Sequence, residues 1–531
     1  MAQYSASQLL FATKVKFGKD NQPKKAKLAE KLLVDTISPS YMSSDEASAL
    51  ILDCNLTKAS YQLMKNKADE KECSLYPAYN NVRMAKDRCY PKNICVTDYT
   101  ASVPLQDLLD HTTTRLLETQ TGVVNANEYN RVTLIYIAGF DGSSGHSIYI
   151  QTCNDNECTR NLKSEESLFI TCFVPLELSS IVNDKKIILW RNSKPSSTLY
   201  CRPLRFKFVE ETADLLRSEE LTLKNEMKQL TKTSYILLNG KPIDADNKIE
   251  ITMIDGKAHT ALFDVTDSSQ CCSLCGVSPK EMNDIDKVLL KLHTQNGLQY
   301  GISILHAWIR TFECLIHIAY KLPVKKWSAR LPADKQQIEM QKKKIQLAFQ
   351  EKMGLIVDRP EAGGSGTSND GNTSRRAFQN EQLFSEITGL NFELIKMFHA
   401  VLTCISCGFE LDAVLFGEYC THTARFYVEC YPWYYMPQSI RKMLIHVPSV
   451  VDYMTLPIGL LSEEAIEARN KDFKKYREHF TRKCDRIKCN EDLFKRLFCS
   501  SDPVISSLRT IVSTKKKVLP EGVLQLLKNS V

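Results

Sequence analysis

Residues 131–146 read RVTLIYIAGFDGSSGH, and residues 251–257 read ITMIDGK. The first opens with a β-branched and aromatic run, ends on Asp141, and is followed by a GSSG turn signal. The second ends a strand pattern on Asp255 and is again followed at once by glycine. Between them lie strand patterns at 167–176, 185–191 and 204–209, an amphipathic helix over about 211–230, and two strands around Asn239-Gly240 that end near Lys257. Strands interleaved with a helix define an α/β layout. An acid at a strand end with glycine next can point into a cleft above the sheet and leave room for a phosphate backbone. It can equally be a β-turn, because Asp-Gly is the commonest hairpin dipeptide.

From Cys271 onward the pattern is helical. Residues 301–322 are apolar nearly all round, which predicts a buried helix, and helices follow at 335–353, 391–407, 411–431 and 462–483. Upstream, helices are expected at 43–52, 58–66 and 105–119. A Gly/Ser/Asn-rich stretch, 359–374, reads as a hinge or as backbone approaching a ligand. The 462–483 helix carries Glu467, which can pair with Lys471 one turn on. Together with Asp141 and Asp255 it offers something more specific. Two-metal phosphoryl transfer needs carboxylates from separate elements to hold two cations, and an oxygen-rich set selects Mg²⁺ or Mn²⁺.

At 531 residues the chain is too long for one ordinary core, and 43% hydrophobic with 25% charged residues is a globular composition. The net charge of +7 is weak over that length. Lysines 14, 16, 19, 24, 25, 27 and 31 crowd the N-terminus, and Arg469, Lys471, Lys474, Lys475, Arg477, Arg482, Lys483, Arg486 and Lys488 form a second cluster. Such clusters suit a polyanion, or simply a solvated helical face. With no signal peptide and no membrane-length apolar run, the expectation is a soluble intracellular protein with no membrane partner. Its nineteen cysteines should then be mostly reduced. Cys272-Ser-Leu-Cys275 is half of a zinc site, with His446 a candidate third ligand; Cys404 and Cys407 lie in an apolar helical pattern and read as buried thiols.

Several stretches resemble Transib transposases and the catalytic subunit of the V(D)J (RAG) recombinase, in the same order and across about residues 41–500. They are SSDEASALILDCNLTKASYQLM (43–64), CYPKNICVTDYTASVPLQDLLDHTTTRLL (89–117), FDGSSGH (140–146), MIDGK (253–257), CSLCG (272–276), TSNDGNTSRRAF (367–378), YPWYYMPQSIRKMLIHVP (431–448) and SEEAIEARNKDFKKYREHFTRK (462–483). The resemblance implies an RNase H-like mixed-sheet core, α/β plus α, with a large helical, zinc-bearing insertion between the second catalytic Asp and the catalytic Glu. The implied layout is a basic arm (1–40), a helical dimerisation and DNA-binding segment (41–75), a segment preceding the core (76–130), a first core part (131–270), the insertion (271–460), the catalytic Glu helix (461–499) and a tail (500–531).

On that resemblance the chain is expected to be a cut-and-paste DNA transposase or recombinase that binds terminal inverted repeats and target DNA as a homodimer in the nucleus, with an accessory subunit unassigned. Asp141, Asp255 and Glu467 fall on the catalytic triad and would hold two Mg²⁺ or Mn²⁺ ions. Lys471, Lys474, Lys475 and Arg482, with Arg375 and Arg376, are candidates for DNA contact. A domesticated, non-cleaving DNA-binding protein is the alternative. Pro23–Lys27 and Lys515–Lys517 are weak import signals, and no Gly-Arg-Pro-Arg motif is present. The family closes its zinc site with two histidines five residues apart. Here His446 holds the second place and Arg441 the first, so either Cys271 or another residue supplies the fourth ligand, or the site is weakened or lost.

Overall fold

The computed structural model describes residues 41–120, 122, 124, 129–146, 165–236, 242–262, 271–272, 274–291, 295–360, 367–509 and 519–528. The basic arm 1–40, the Asn239-Gly240 turn and Lys515–Lys517 lie outside the described residues. The chain divides into two compact units, Met1–Arg88 with Leu508–Thr510, and Cys89–Ser507 with Ile511–Val531.

The first unit is helical. Helix α1 (Ser44–Asp53) begins with a capping box, Glu46 N donating to Ser43 Oγ at 3.1 Å and Ser43 N to Glu46 Oε2 at 2.7 Å. That reciprocal pairing satisfies two backbone donors the helix start leaves open, which is why SSDE begins a helix here. Helices α2 (Lys58–Asp69) and α3 (Tyr79–Asp87) complete a small core of Ala47, Ile51, Tyr61 and Val82. The Tyr61 hydroxyl donates to the Pro77 carbonyl at 2.8 Å.

The second unit is built on a mixed sheet. Strands β1 (Cys95–Val96) and β2 (Thr100–Ser102) precede helix α4 (Leu105–Thr119). Then come β3 (Arg131–Ser144), β4 (Ser167–Val182), β5 (Lys185–Arg191), β6 (Arg202–Lys207), helix α5 (Ala213–Lys228), β7 (Thr233–Ile236) and β8 (Pro242–Met253). The order across the sheet is β1-β2-β6-β4-β3-β8-β7, with β5 paired to β4. β3 and β4 are antiparallel, as are β4 and β6; β3 and β8 are parallel. β3 is buried without interruption from Leu134 to Asp141, as a central strand covered on both faces requires.

One expectation is corrected. GSSG does not turn the chain directly after Asp141: β3 runs on through Gly142 and Ser143 to Ser144, with Asp141 opposite Ile170, and the left-handed residue is Gly145 at φ 76°. The turn reading of Asp141-Gly142 therefore fails, because continuous pairing with β4 keeps both residues extended.

Downstream of β8 comes helix α6 (Gly256–Leu262), then a helical region with its own core. Its main helices are α7 (Ile304–Lys321), α8 (Pro332–Met353), α9 (Gly371–Phe378), α10 (Phe392–Ser406) and α11 (Ala413–Cys430). α7 is buried as expected, around Phe312, Leu315, Ile316 and Ala319. α8 starts at Pro332 rather than near 335, since proline suits a first turn whose N–H has no partner, and it stops at left-handed Gly354. No single helix among the described residues is long and apolar enough to cross a membrane. The chain then returns to the sheet through α12 (Glu464–His479) and α13 (Arg486–Ser501). Phe473 of α12 and Phe494 of α13 stand edge-on to Phe206 of β6, with ring centroids 5.4 and 5.6 Å away. Such aromatic pairs add roughly 0.5–1.5 kcal/mol each beyond their burial. They fix α12, and with it Glu467, over the sheet.

Candidate active site

The parallel pairing of β3 with β8 decides where the two aspartates fall. Gly139 stands opposite Met253 after an irregularity at Ala138. A Cβ on Gly139 would come within 1.9 Å of the Met253 carbonyl oxygen, so the strands meet there only because residue 139 is glycine. Asp141 and Asp255 each lie two residues beyond that pair, at the same end of adjacent strands. Asp255 follows the end of β8 and immediately precedes α6, its Oδ1 accepting from Ala258 N at 2.6 Å. Its side chain therefore caps the start of that helix.

α12 brings the third acid. The Asn470 amide Nδ2 donates to Asp141 Oδ2 at 2.6 Å, one turn after Glu467. Burial raises the Asp141 carboxyl well above its ordinary range, and the charges of Glu467, Asp255 and Glu211 push it further; Asn470 opposes them. Glu467 is raised too, by burial first and then by Glu463 and Asp255, with His306 and Lys471 opposing. The three acids thus sense one another inside one site, although 114 residues separate the first from the second and 212 the second from the third by their numbers in the chain (255 − 141 and 467 − 255). This is an oxygen-only, charge-crowded donor set, which suits hard divalent cations.

Two further acids stand around them, in roles that sequence reading did not assign. Glu211 accepts from Gly142 N at 2.9 Å and pairs with Lys257 at 2.9 Å, bridging the residues that follow Asp141 and Asp255. Glu463 is buried, and its oxygens accept from Ile304 N at 3.0 Å and Leu305 N at 3.1 Å, with Ser303 Oγ also donating. It therefore caps α7 from a distant part of the chain. His306 lies 3.3 Å from the same carboxylate; burial works against its charged form, but the Glu463 bond and the charges of Glu463, Glu467 and Asp255 outweigh burial and raise its pKa. In the sequence Glu463 is an acid in the first turn of the 462–483 helix, where a helix dipole favours negative charge, and nothing there points to α7. Beside Asp255 opens a cleft of about 360 Å³, lined among others by Lys257, His306, Arg310 and Lys442.

The expected DNA-contact residues divide. Lys471, Lys474 and Lys475 are exposed on α12. Arg482 is exposed but gripped by Asp492 through bonds of 2.9 and 2.8 Å. Arg375 is paired with Glu464 and lies over the Trp308 ring, and Arg376 donates to the Met353 carbonyl at 3.2 Å. The basic run after Glu467 is also not one solvated face: Arg469, Arg477 and Arg486 are buried, Arg469 against Asp472 and the carbonyls of Thr198 and Cys201, the other two on Glu165. Of the 359–374 loop, Gly371 starts α9 behind an Asp370 cap, and residues 361–366 lie outside the described residues.

Cys272, Cys275 and His446 come together as the spacing suggested, their ligand atoms within 4.8 Å of one another, so the trio by itself could hold a metal ion. Cys272 N and Gly276 N close a tight turn, bonding to Val277 O and Cys272 O, with Gly276 at φ 68°. Cys271 is not in the group. Cys404 and Cys407 are buried, as read.

No protein-family model matches the chain, and no curated protein matches it. Among solved structures, the Drosophila P element transposase strand transfer complex is similar at a TM-score of 0.38 and 11% identity, over 94% of this chain and 100% of that one.

Proposed function

We propose that the chain is a DNA transposase or recombinase of the three-carboxylate type, acting on DNA ends through Asp141, Asp255 and Glu467. The observation that carries this reading is the approach of those acids from the same side of two parallel strands and from a returning helix, with the charges of Glu467 and Asp255 raising the buried Asp141 carboxyl and that of Asp255 raising Glu467. Negative charge crowded on the buried Asp141 and the half-buried Asp255 and Glu467 is costly unless cations share it, and phosphoryl transfer is the chemistry that two divalent ions held by carboxylates serve. Mg²⁺ or Mn²⁺ bound there would activate the attacking oxygen and stabilise the leaving one.

The protein's own groups have separate tasks in this reading. Asp141 and Asp255 hold their places through the β3–β8 register, and Asn470 fixes which oxygen of Asp141 faces inward. Glu463 and Phe473 hold α12, and so Glu467, against α7 and the sheet. Lys471, Lys474 and Lys475 contact phosphates and position the duplex without reading its sequence. Water opens one strand, and the 3′-hydroxyl released attacks the opposite strand, leaving a hairpin on the flank and a free element end. A homodimer in the nucleus completes the proposal.

The test is cleavage of a labelled duplex carrying the inverted repeats that flank the gene, with Mg²⁺ or Mn²⁺, by the wild type and by Asp141→Asn. Nicks and hairpins that require metal and vanish in the variant are expected. Binding of the correct ends by folded protein without cleavage would overturn the enzyme reading in favour of a non-cleaving DNA-binding protein.

A further inference from the structure

The trio Cys272, Cys275 and His446 has a fourth neighbour. Arg441 is 0% exposed, and its Nη2 stands 2.9 Å from Cys275 Sγ. On the other side Cys272 Sγ lies 3.5 Å from His446 Nε2. A closed structural zinc site needs four atoms with lone pairs to give. A guanidinium has five N–H donors, no acceptor and a permanent positive charge. Two further nitrogens of Arg441, Nε and Nη1, are buried and have no hydrogen-bond partner among the described residues, so the sulfur is the acceptor that holds the group in place. Buried as it is, Arg441 has no route to solvent that leaves the packing intact. A zinc ion among the three ligands would lie beside a fixed, buried cation held 2.9 Å from one of those ligands, where like charges repel more than they do in open water. Lys442, the next residue, adds a second basic group to the region, its Nζ 3.2 Å from His259 Nδ1.

We infer that Arg441 occupies the place of a fourth ligand and that this chain closes the Cys272–Cys275–His446 cluster without a metal. The guanidinium–sulfur contact then does what zinc would do: it ties the turn at 272–277 to the helical segment 438–446. That segment supplies Gln438, Ser439, Lys442 and Met443 to the cleft beside Asp255, so one wall of the cleft is braced with no ion to lose.

The test uses the full chain, purified from zinc-supplemented cells and desalted. Elemental analysis should find well under one zinc per chain, and a strong chelator should leave the melting temperature unchanged. Cobalt(II) should give no thiolate-to-metal absorption. Arg441→His supplies the missing donor and should bind one cobalt per chain with that absorption, and its melting temperature should rise with zinc and fall with chelator. One zinc per wild-type chain, with melting that drops on chelation, would overturn the inference. So would an Arg441→His variant that folds yet takes no cobalt. If that variant does not fold, the wild-type metal content and chelator response decide. None of these readouts involves DNA cleavage, so they stand or fall apart from the transposase reading.

Discussion

Asn470 Nδ2 donates to Asp141 Oδ2 at 2.6 Å, and so joins the helix of the third acid to the strand of the first. The other amide atom, Oδ1, is buried and has no hydrogen-bond partner among the described residues. Partners of metal-binding carboxylates orient them, and their loss weakens metal affinity or activity by about 10–100-fold. Asn470→Ala should therefore raise the Mn²⁺ concentration for half-maximal cleavage and weaken Mn²⁺ binding measured by water-proton relaxation. A fall in cleavage with unchanged Mn²⁺ affinity would remove Asn470 from this role.

Asp141 gives a pH prediction. Its folded pKa is raised, by burial first and by the neighbouring acids, so its contribution to stability is fully present below the ordinary carboxylate value and is lost as pH rises through the raised one. By neutral pH the metal-free protein has given up at least part of that contribution. Asp141→Asn removes the charge, and should melt above the wild type at pH 7 in chelator, by no more than about 2 °C for each kcal/mol released in a chain of this size. The gap should shrink as the pH falls toward about 4, where the wild-type carboxyl is protonated. A gap that stays constant across this range would show that the raised pKa is not its cause.

These groups differ in how far sequence reveals them. Strand runs ending on acid-glycine marked Asp141 and Asp255, and the β-rich periodicity located β3 because a doubly covered strand must be apolar throughout. The helices were legible for the same reason, and Leu105–Thr119 falls where its pattern put it. Glu211 and Asn470 were not legible, because their roles come from contacts with residues 69 and 329 positions away. The arginines 469, 477 and 486 misled for a related reason: Glu165 and the carbonyls that accept from them lie far off in sequence, so they looked like surface charge. Arg441 was visible as a residue that cannot ligate zinc, but its contact with Cys275 required the fold.

Glu463 tests the link between the acid helix and α7. Its carboxylate takes up the backbone donors of Ile304 and Leu305 at a buried helix start. Glu463→Gln keeps the shape but removes the charge, and hydrogen bonds to charged groups are worth about 1.5–3 kcal/mol against about 1 for neutral ones. The variant should unfold at lower denaturant concentration, and amide exchange at Ile304 and Leu305 should accelerate more than exchange in α10. Uniform acceleration along both helices would mean that Glu463 supports the unit as a whole and not the start of α7.

Lys474 and Lys475 separate phosphate contact from simple surface charge. Both are exposed on α12, while Arg482 and Arg375 are already held by Asp492 and Glu464. An arginine committed to an internal carboxylate must break that bond before it can meet a phosphate, whereas neither lysine has an ion pair or hydrogen bond among the described residues. Each phosphate contact contributes about 0.9 to the slope of log binding constant against log salt. Lys474→Ala with Lys475→Ala should therefore weaken binding to specific and unrelated duplexes by a similar factor and lower the slope by about 2. Arg482→Ala should leave the slope near its wild-type value and instead reduce stability, through the lost Asp492 contact. If Arg482→Ala flattens the slope and the lysine pair does not, DNA runs past the end of α12 and not along it, and the phosphate contacts belong to residues beyond His479.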